Sequence, residues 1–168
     1  INVVVASSET AVEQESYDPK PLTHLTFKQM AEMTASGLIE IQSHSYDSHG
    51  QIVIDAAGNT DCALVNRAYL AETSQVETEE QYKERIKSDV VKAKTILEEK
   101  IGAAVTCFAY PYGRANETLQ KVLLEVGYQG AVTVKNGFVN AKSNIMALPR
   151  ITIDNHDDLT SFINKITP

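Results

Sequence analysis

Cysteine is scarce in this chain of 168 residues: Cys62 and Cys107 are the only two. That excludes a disulfide-stapled scaffold. Neither has the CxxC or Cys/His spacing of a metal or redox site. Cys107 falls in the apolar run Val105-Thr106-Cys107-Phe108-Ala109 and reads as a small buried hydrophobe, whereas Cys62 falls in a polar stretch. Such unmatched environments do not suggest a bridge between them. Basic residues are also outnumbered, 15 against 22 acids, for a formal net charge of −7. An acidic chain is a poor nucleic-acid binder, which needs a basic face. No apolar run approaches the ~18–20 residues that cross a bilayer. Internal repeats and low-complexity tracts are lacking too.

An initiator methionine is missing as well. The chain opens Ile1-Asn2-Val3-Val4-Val5, straight into an apolar run, which reads as a piece of a longer protein. A trimmed start would also have lost any leader peptide, so this end is silent about location. What remains is ordinary for a folded domain. Hydrophobic residues make up 43% and charged residues 22%, too apolar for intrinsic disorder. The length suits a single domain, 1–168.

Short β-branched runs alternate with helical patterns, which predicts α/β units around a mostly parallel sheet or barrel. Val3–Ala6 is the first strand-like run, and 7–25, with Pro19 and Pro21, reads as a loop. Thr26 and Gln29 form a capping box at the start of a helix that buries Phe27, Met30 and Met33 and stops at Gly37. Leu38–Ile41 is predicted as a strand, and 51–76 as an irregular, partly exposed insertion. A second capping box, Thr78 with Gln81, opens the longest helix, whose core stripe is Tyr82, Ile86, Val90, Ala93 and Leu97. Gly102 closes it.

Val105–Ala109 is a strand. Asn116 then caps a helix that carries Leu119, Val122, Leu123 and Val126 inward and ends at Gly127. Ala131–Val134 and Ile151–Ile153 are further strands, with Asn136-Gly137 a tight-turn signal between them. Asp154 or Asn155 begins a last helix carrying Leu159, Phe162, Ile163 and Ile166.

Two polar clusters lie just past strand ends, where α/β folds place their sites. The first is His44-Ser45-Tyr46-Asp47-Ser48-His49. Side chains five apart on a helix diverge by about 140°, so the two imidazoles meet only if the backbone turns after the strand. Ser, Asp and Gly50 favour such a turn. Two imidazoles facing one point supply two of the three protein ligands of a typical catalytic zinc site. A solvated loop that contains two histidines by chance is the alternative, and composition does not choose between them. The second cluster is Phe108-Ala109-Tyr110-Pro111-Tyr112-Gly113, a strand end broken by proline. An exposed backbone N–H at such a turn can bind a developing oxyanion, and tyrosines make walls for a sugar ring. A plain turn fits the same residues, and Arg114 beside it reads as a surface residue.

Gly37-Leu38-Ile39-Glu40-Ile41-Gln42-Ser43-His44-Ser45-Tyr46-Asp47-Ser48-His49 resembles the second motif of the polysaccharide deacetylases, carbohydrate esterase family 4 with the NodB-homology fold. The common form is His-Ser/Thr-x-x-His; the extra residue here resembles the poly-N-acetylglucosamine deacetylase branch. Phe108–Gly113 is similar to that branch's third motif, and Leu148-Pro149-Arg150-Ile151 with a final helix to its C-terminal end. The resemblance covers nearly the whole chain, with 51–76 as a variable insertion. It implies a distorted (β/α) barrel and metal-assisted hydrolysis of N-acetyl groups on an N-acetylated cell-wall or exopolysaccharide glycan. It further implies a divalent metal, usually zinc, held by His44, His49 and one aspartate. Ser45 would steady the loop, the Tyr112 N–H would serve the oxyanion, and Tyr110 and Pro111 would contact substrate. An extracellular or cell-surface bacterial location is implied in the same way.

The departures are equally informative. The family's first motif, a Thr-Phe-Asp-Asp-Gly strand end carrying the general base and the third ligand, would precede Val3–Ala6 and is not in this sequence. Asp18 has no such context. On this reading the chain starts at the barrel's second strand and alone lacks activity. It exposes a strand edge that another copy or a retained N-terminal fragment could fill. Ala109 stands where the commoner branch has an arginine, and Arg150 is the candidate replacement for that charge. His24 and His156 read as structural and exposed, respectively. Two other readings stay open: a catalytically silent glycan-binding or structural module, and a related hydrolase of small amides.

Overall fold

The computed structural model describes residues 1–11 and 24–168. Asp18, Pro19, Pro21 and most of the loop predicted over 7–25 lie outside them. The elements run β1 (Asn2–Val4), α1 (Val5–Glu9), α2 (Phe27–Ala35), β2 (Gln42–Ser45), β3 (Gln51–Val53), β4 (Thr60–Cys62), β5 (Tyr69–Leu70) and β6 (Gln75–Val76). They continue with α3 (Glu79–Ile101), β7 (Cys107–Ala109), α4 (Glu117–Val126), β8 (Gly130–Val132) and α5 (Leu159–Ile166). The expected α/β class holds. β1, β2, β7 and β8 form a parallel sheet in that order, with β1 and β8 at its edges.

The helices start and stop where local chemistry dictates. At both capping boxes the threonine accepts from the backbone N–H three residues on and the glutamine side chain accepts from the threonine N–H, a device worth about 1 kcal/mol each. Asn116 caps α4 by accepting from Leu119 N. Gly102 and Gly127 take the left-handed conformation that ends α3 and α4. Tyr82, Ile86, Val90, Ala93 and Leu97 are all buried against the sheet. At its centre Phe108 meets Tyr110 and Tyr128 edge-on, with centroids 5.6 and 5.5 Å away, the favoured aromatic geometry.

The strands are shorter than expected and shifted. Backbone pairing sets β2 at Gln42–Ser45 rather than Leu38–Ile41, because Gln42 N donates to Ile1 O in the first rung beside β1. Leu38 and Ile39 become the connection out of α2. β7 begins at Cys107, not Val105, because the Gln42 side-chain oxygen accepts from Thr106 N and Cys107 N in place of a strand carbonyl. Alternation along β7 turns Phe108 into the core and Cys107 outward. Cys107 is therefore exposed, contrary to its apolar context, while Cys62 is buried; both are free thiols. Ile151–Ile153 is no strand. The strand-like contact falls at Leu148, whose N–H donates to Ala131 O while its carbonyl accepts from Thr133 N. Asn136-Gly137 does not close a hairpin; Lys135 O instead accepts from Arg150 N.

Residues 51–76 are more ordered than their aperiodic sequence suggests. They form two antiparallel hairpins, β3–β4 and β5–β6. Arg85 of α3 anchors them by donating to Ala63 O, Asn66 O and the Glu77 carboxylate. Glu77 also accepts from Ala68 N. Burial pushes the Glu77 carboxyl up, but the Arg85 and Ala68 hydrogen bonds outweigh it and hold it below its ordinary value.

The last helix starts later than predicted, with Asp158 as its cap. Asp154 spends its carboxylate on His156 N, and Asp157 accepts from Asp154 N, so a local turn forms there. α5 buries none of its residues, and its apolar positions Leu159, Phe162, Ile163 and Ile166 are exposed.

Candidate active site

The sheet delivers both motif clusters to the same end. Ser43 of β2 pairs with Phe108 of β7, so the chain that leaves each strand emerges beside the other. Between β1 and β2 the register slips: Val3 faces Ser43 and Val4 faces Ser45, which leaves His44 as the extra residue. Such a bulge re-aims a side chain. His44 Nδ1 lies 2.6 Å from Ala109 O at the end of β7. A carbonyl can only accept, so Nδ1 carries the proton and Nε2 keeps its lone pair. Burial chiefly, and the neighbouring charges of His49 and Arg150, lower the His44 pKa, while the bond to Ala109 opposes them. The neutral ring is thereby favoured.

The backbone turn predicted from Ser, Asp and Gly50 brings the second imidazole round. The His44 and His49 centroids are 4.9 Å apart, and the Tyr112 ring lies 4.8 Å from His49. His44, His49 and Tyr112 therefore form one continuous cluster. Tyr112 sits in the three-residue turn Pro111–Gly113 at φ 56°, a conformation few non-glycine residues adopt. Gly113 follows at φ +67°, and a Cβ there would lie 2.4 Å from Val134 Cγ2 and 2.6 Å from Val134 N. Only glycine fits. Among the described residues no hydrogen bond engages the Tyr112 N–H. Its nearest acceptor along the chain, Ala109 O, faces His44 instead.

Other expectations meet a different geometry. Tyr110 does not wall a substrate site: it is 2% exposed and its hydroxyl donates to Met146 O at 2.7 Å. Pro111 is buried beside it. Tyr110 continues the alternation of β7 from Phe108 into the core, Pro111 is buried as the first residue of the turn that follows, and the exposed aromatic wall is Tyr112, 49% accessible. Ser45 does not steady the loop through its hydroxyl, which is buried without a partner at φ 140°. That role falls to Ser48, whose hydroxyl donates to Asp89 of α3. Arg150 is exposed on its strand-like segment, yet its charge reaches His44. Arg114 is more than a surface residue: it grips Asp61 of β4 through two 3.0 Å contacts and ties the first hairpin to the Tyr112 turn.

A sequence model of the family described as polysaccharide deacetylase matches residues 9–131. The chain belongs to the polysaccharide deacetylase family. Poly-beta-1,6-N-acetyl-D-glucosamine N-deacetylase of Escherichia coli K12 is 36% identical over 141 residues, covering 84% of this chain and 21% of that protein. The chain thus spans about one fifth of the length of the curated relatives it matches. The BpsB deacetylase domain of Bordetella bronchiseptica is 25% identical and superposes with a TM-score of 0.79 over 89% of this chain and 58% of that one. A de-N-acetylase of Aggregatibacter actinomycetemcomitans shares the fold, with a TM-score of 0.80, 23% identity and coverage of 97% and 63% respectively.

Deacetylases of this family are metal-dependent in general, and the residues of this chain fit such a group in their donor chemistry. His44 has the inner-ring arrangement of a ligand imidazole, one nitrogen tied to a carbonyl and the other free, with a second imidazole beside it. Among the described residues no set of three or more His, Cys, Asp or Glu side chains gathers at one point.

Proposed function

We propose that this chain carries the metal-binding and oxyanion half of an N-deacetylase acting on poly-N-acetylglucosamine, releasing acetate and leaving a free amine on the sugar. The observation that carries the reading is the His44–His49–Tyr112 cluster at the shared end of β2 and β7. His44 and His49 would hold a divalent ion, with zinc the best match to paired imidazoles. Bound there, such an ion would supply a Lewis acid for the amide carbonyl and lower the pKa of a water nucleophile.

The remaining roles belong to the chain's own groups. The Ala109 carbonyl fixes the His44 tautomer and so keeps Nε2 available. The Tyr112 N–H, held outward by its left-handed turn, donates to the oxygen that gains charge during attack. The Tyr112 ring offers an aromatic face to a pyranose. Arg150 supplies positive charge close to His44 and disfavours its protonation. Two imidazoles alone hold zinc weakly, so residues 1–168 by themselves are expected to turn over poorly.

Acetate release from β-1,6-linked N-acetylglucosamine oligomers, measured with zinc and with a chelator, tests the reading in the protein and in the His44→Ala variant. Chelator-sensitive release that His44→Ala abolishes supports it. Binding of the oligomer with neither acetate release nor Zn2+ binding at His44 and His49 would favour a silent glycan-binding module. Faster release from simple N-acetyl amines than from the oligomer would favour a small-amide hydrolase.

A further inference from the structure

The loop between the two histidines makes a turn at Ser48–His49, and its first half is held from outside. Its entry residue Ser45 sits at φ 140° with a buried hydroxyl that has no partner among the described residues. An L-residue in that conformation is strained, and it persists only where surrounding contacts enforce it. Ala6 N of α1 donates to Tyr46 O at 2.9 Å, and the other contacts come from a helix more than forty residues later in sequence. Asp89 of α3 accepts from Tyr46 N at 2.9 Å through Oδ1, and from Asp47 N at 3.0 Å and Ser48 Oγ at 2.8 Å through Oδ2. One carboxylate thus receives three donors from three consecutive residues between His44 and His49. The same face of α3 sets the Lys92 ammonium 3.5 Å above the Tyr46 ring. Tyr46 OH in turn donates to Glu9 of α1.

We propose that Asp89 is a positioning residue: its carboxylate folds the Tyr46–Ser48 backbone into the turn that brings the His49 imidazole back beside His44. This rests on the reading of that pair as metal ligands. The five-residue spacing of the histidines does not make them neighbours; the turn does, and Asp89 is the group that collects the turn's donors. The carboxylate has acceptors only, so it matches two N–H groups and a hydroxyl with no orientation to choose. An asparagine in its place keeps one acceptor and presents an NH2 to the Asp47 N–H, donor against donor. α3 is anchored through its buried stripe, so a rigid helix fixes the turn that the loop's own residues permit.

The test is Asp89→Asn in the protein, with two readouts: hydrogen exchange of the Tyr46 and Asp47 amides without metal, and Zn2+ titration followed by the His44 and His49 ring resonances. The expected result is exchange at least about tenfold faster at both amides. Zn2+ affinity should be about 10–100-fold weaker, the usual consequence of losing a partner outside the ligand shell, with helical content retained. Amide exchange unchanged and Zn2+ affinity within twofold of the parent protein would overturn the proposal. Should Asp89→Asn fail to fold, Ser48→Ala removes one of the three bonds and is expected to weaken Zn2+ binding several-fold; no change there also overturns it. If Zn2+ leaves both rings of the parent protein unperturbed, the metal reading fails. The exchange arm then decides the role of Asp89 by itself: faster exchange upholds it and equal exchange ends it.

Discussion

The turn after β2 and the turn after β7 lie side by side at one end of the sheet, yet they are held by different physics. The first is held from outside, by the Asp89 carboxylate collecting donors from Tyr46, Asp47 and Ser48. The second is held from within, by positive φ at Tyr112 and Gly113 and by the close fit of Val134 over Gly113. An electrostatic hold tolerates changes of side-chain size but not of acceptor number. A steric hold behaves in the opposite way. The site therefore joins one half that is sensitive to charge and one half that is sensitive to volume.

Several substitutions break or sharpen that contrast. The largest effect is expected at the proposed ligands, where His44→Ala or His49→Ala should lower kcat/KM more than about a hundredfold, beyond what outer partners usually cost. Steady-state acetate release checks this, and retention of a tenth of the activity by either variant would be incompatible with both histidines serving as ligands. Next comes Gly113→Ala, which meets both a side chain and a backbone nitrogen of Val134 as well as a left-handed φ. It should cost about 2–3 kcal/mol in denaturant unfolding. Because Val134 N is one of the clashing atoms, adding Val134→Ala should not restore stability; full restoration would show the fit to be one of side chains only.

The anchoring of the hairpins offers a pH-dependent test. Removing Arg85 by Arg85→Ala strands the Glu77 carboxylate and should cost about 3 kcal/mol. The folded Glu77 carboxyl titrates below its ordinary value near 4.5. Its contribution is therefore fully present above that value and is lost as pH falls through the lower folded one. The stability gap between parent and Arg85→Ala should accordingly narrow in acid, and a gap constant from pH 7 to pH 3 would count against the assignment. Tyr110→Phe is smaller still, about 1 kcal/mol for the lost bond to Met146 O. Since Tyr110 is buried away from the site, KM for the glycan should not change; a raised KM would return Tyr110 to the substrate wall. The smallest effect belongs to Arg114→Ala. Its link to Asp61 is exposed to solvent and screened accordingly, so activity should fall by less than about threefold.

Much of this was legible before any coordinates. The capping boxes at Thr26 and Thr78 and the stripe from Tyr82 to Leu97 depend on neighbours three or four residues away, and a local signal suffices for them. The two motif clusters were legible for the same reason, as short polar runs at strand ends. Strand bounds were less so, because a rung such as Gln42 N to Ile1 O is fixed by a partner forty-one residues away. The hairpins in 51–76 were missed because Arg85, their anchor, lies outside that stretch. Asp89 left only a faint mark, an acid beside Val90 at the margin of the buried stripe.

The sequence by itself determined the α/β order, the helix ends, His44 and His49 as the candidate imidazoles and the glycine that permits the Tyr112 turn. These are properties of residue types over one or two turns of chain. Only the tertiary structure decided that Tyr112 rather than Tyr110 faces the site, that Ser48 rather than Ser45 is bonded, and that a carboxylate on α3 shapes the histidine loop. Each of those depends on which face a strand presents and on which distant donor or acceptor lies within about 3 Å, and chain order alone does not encode that distance.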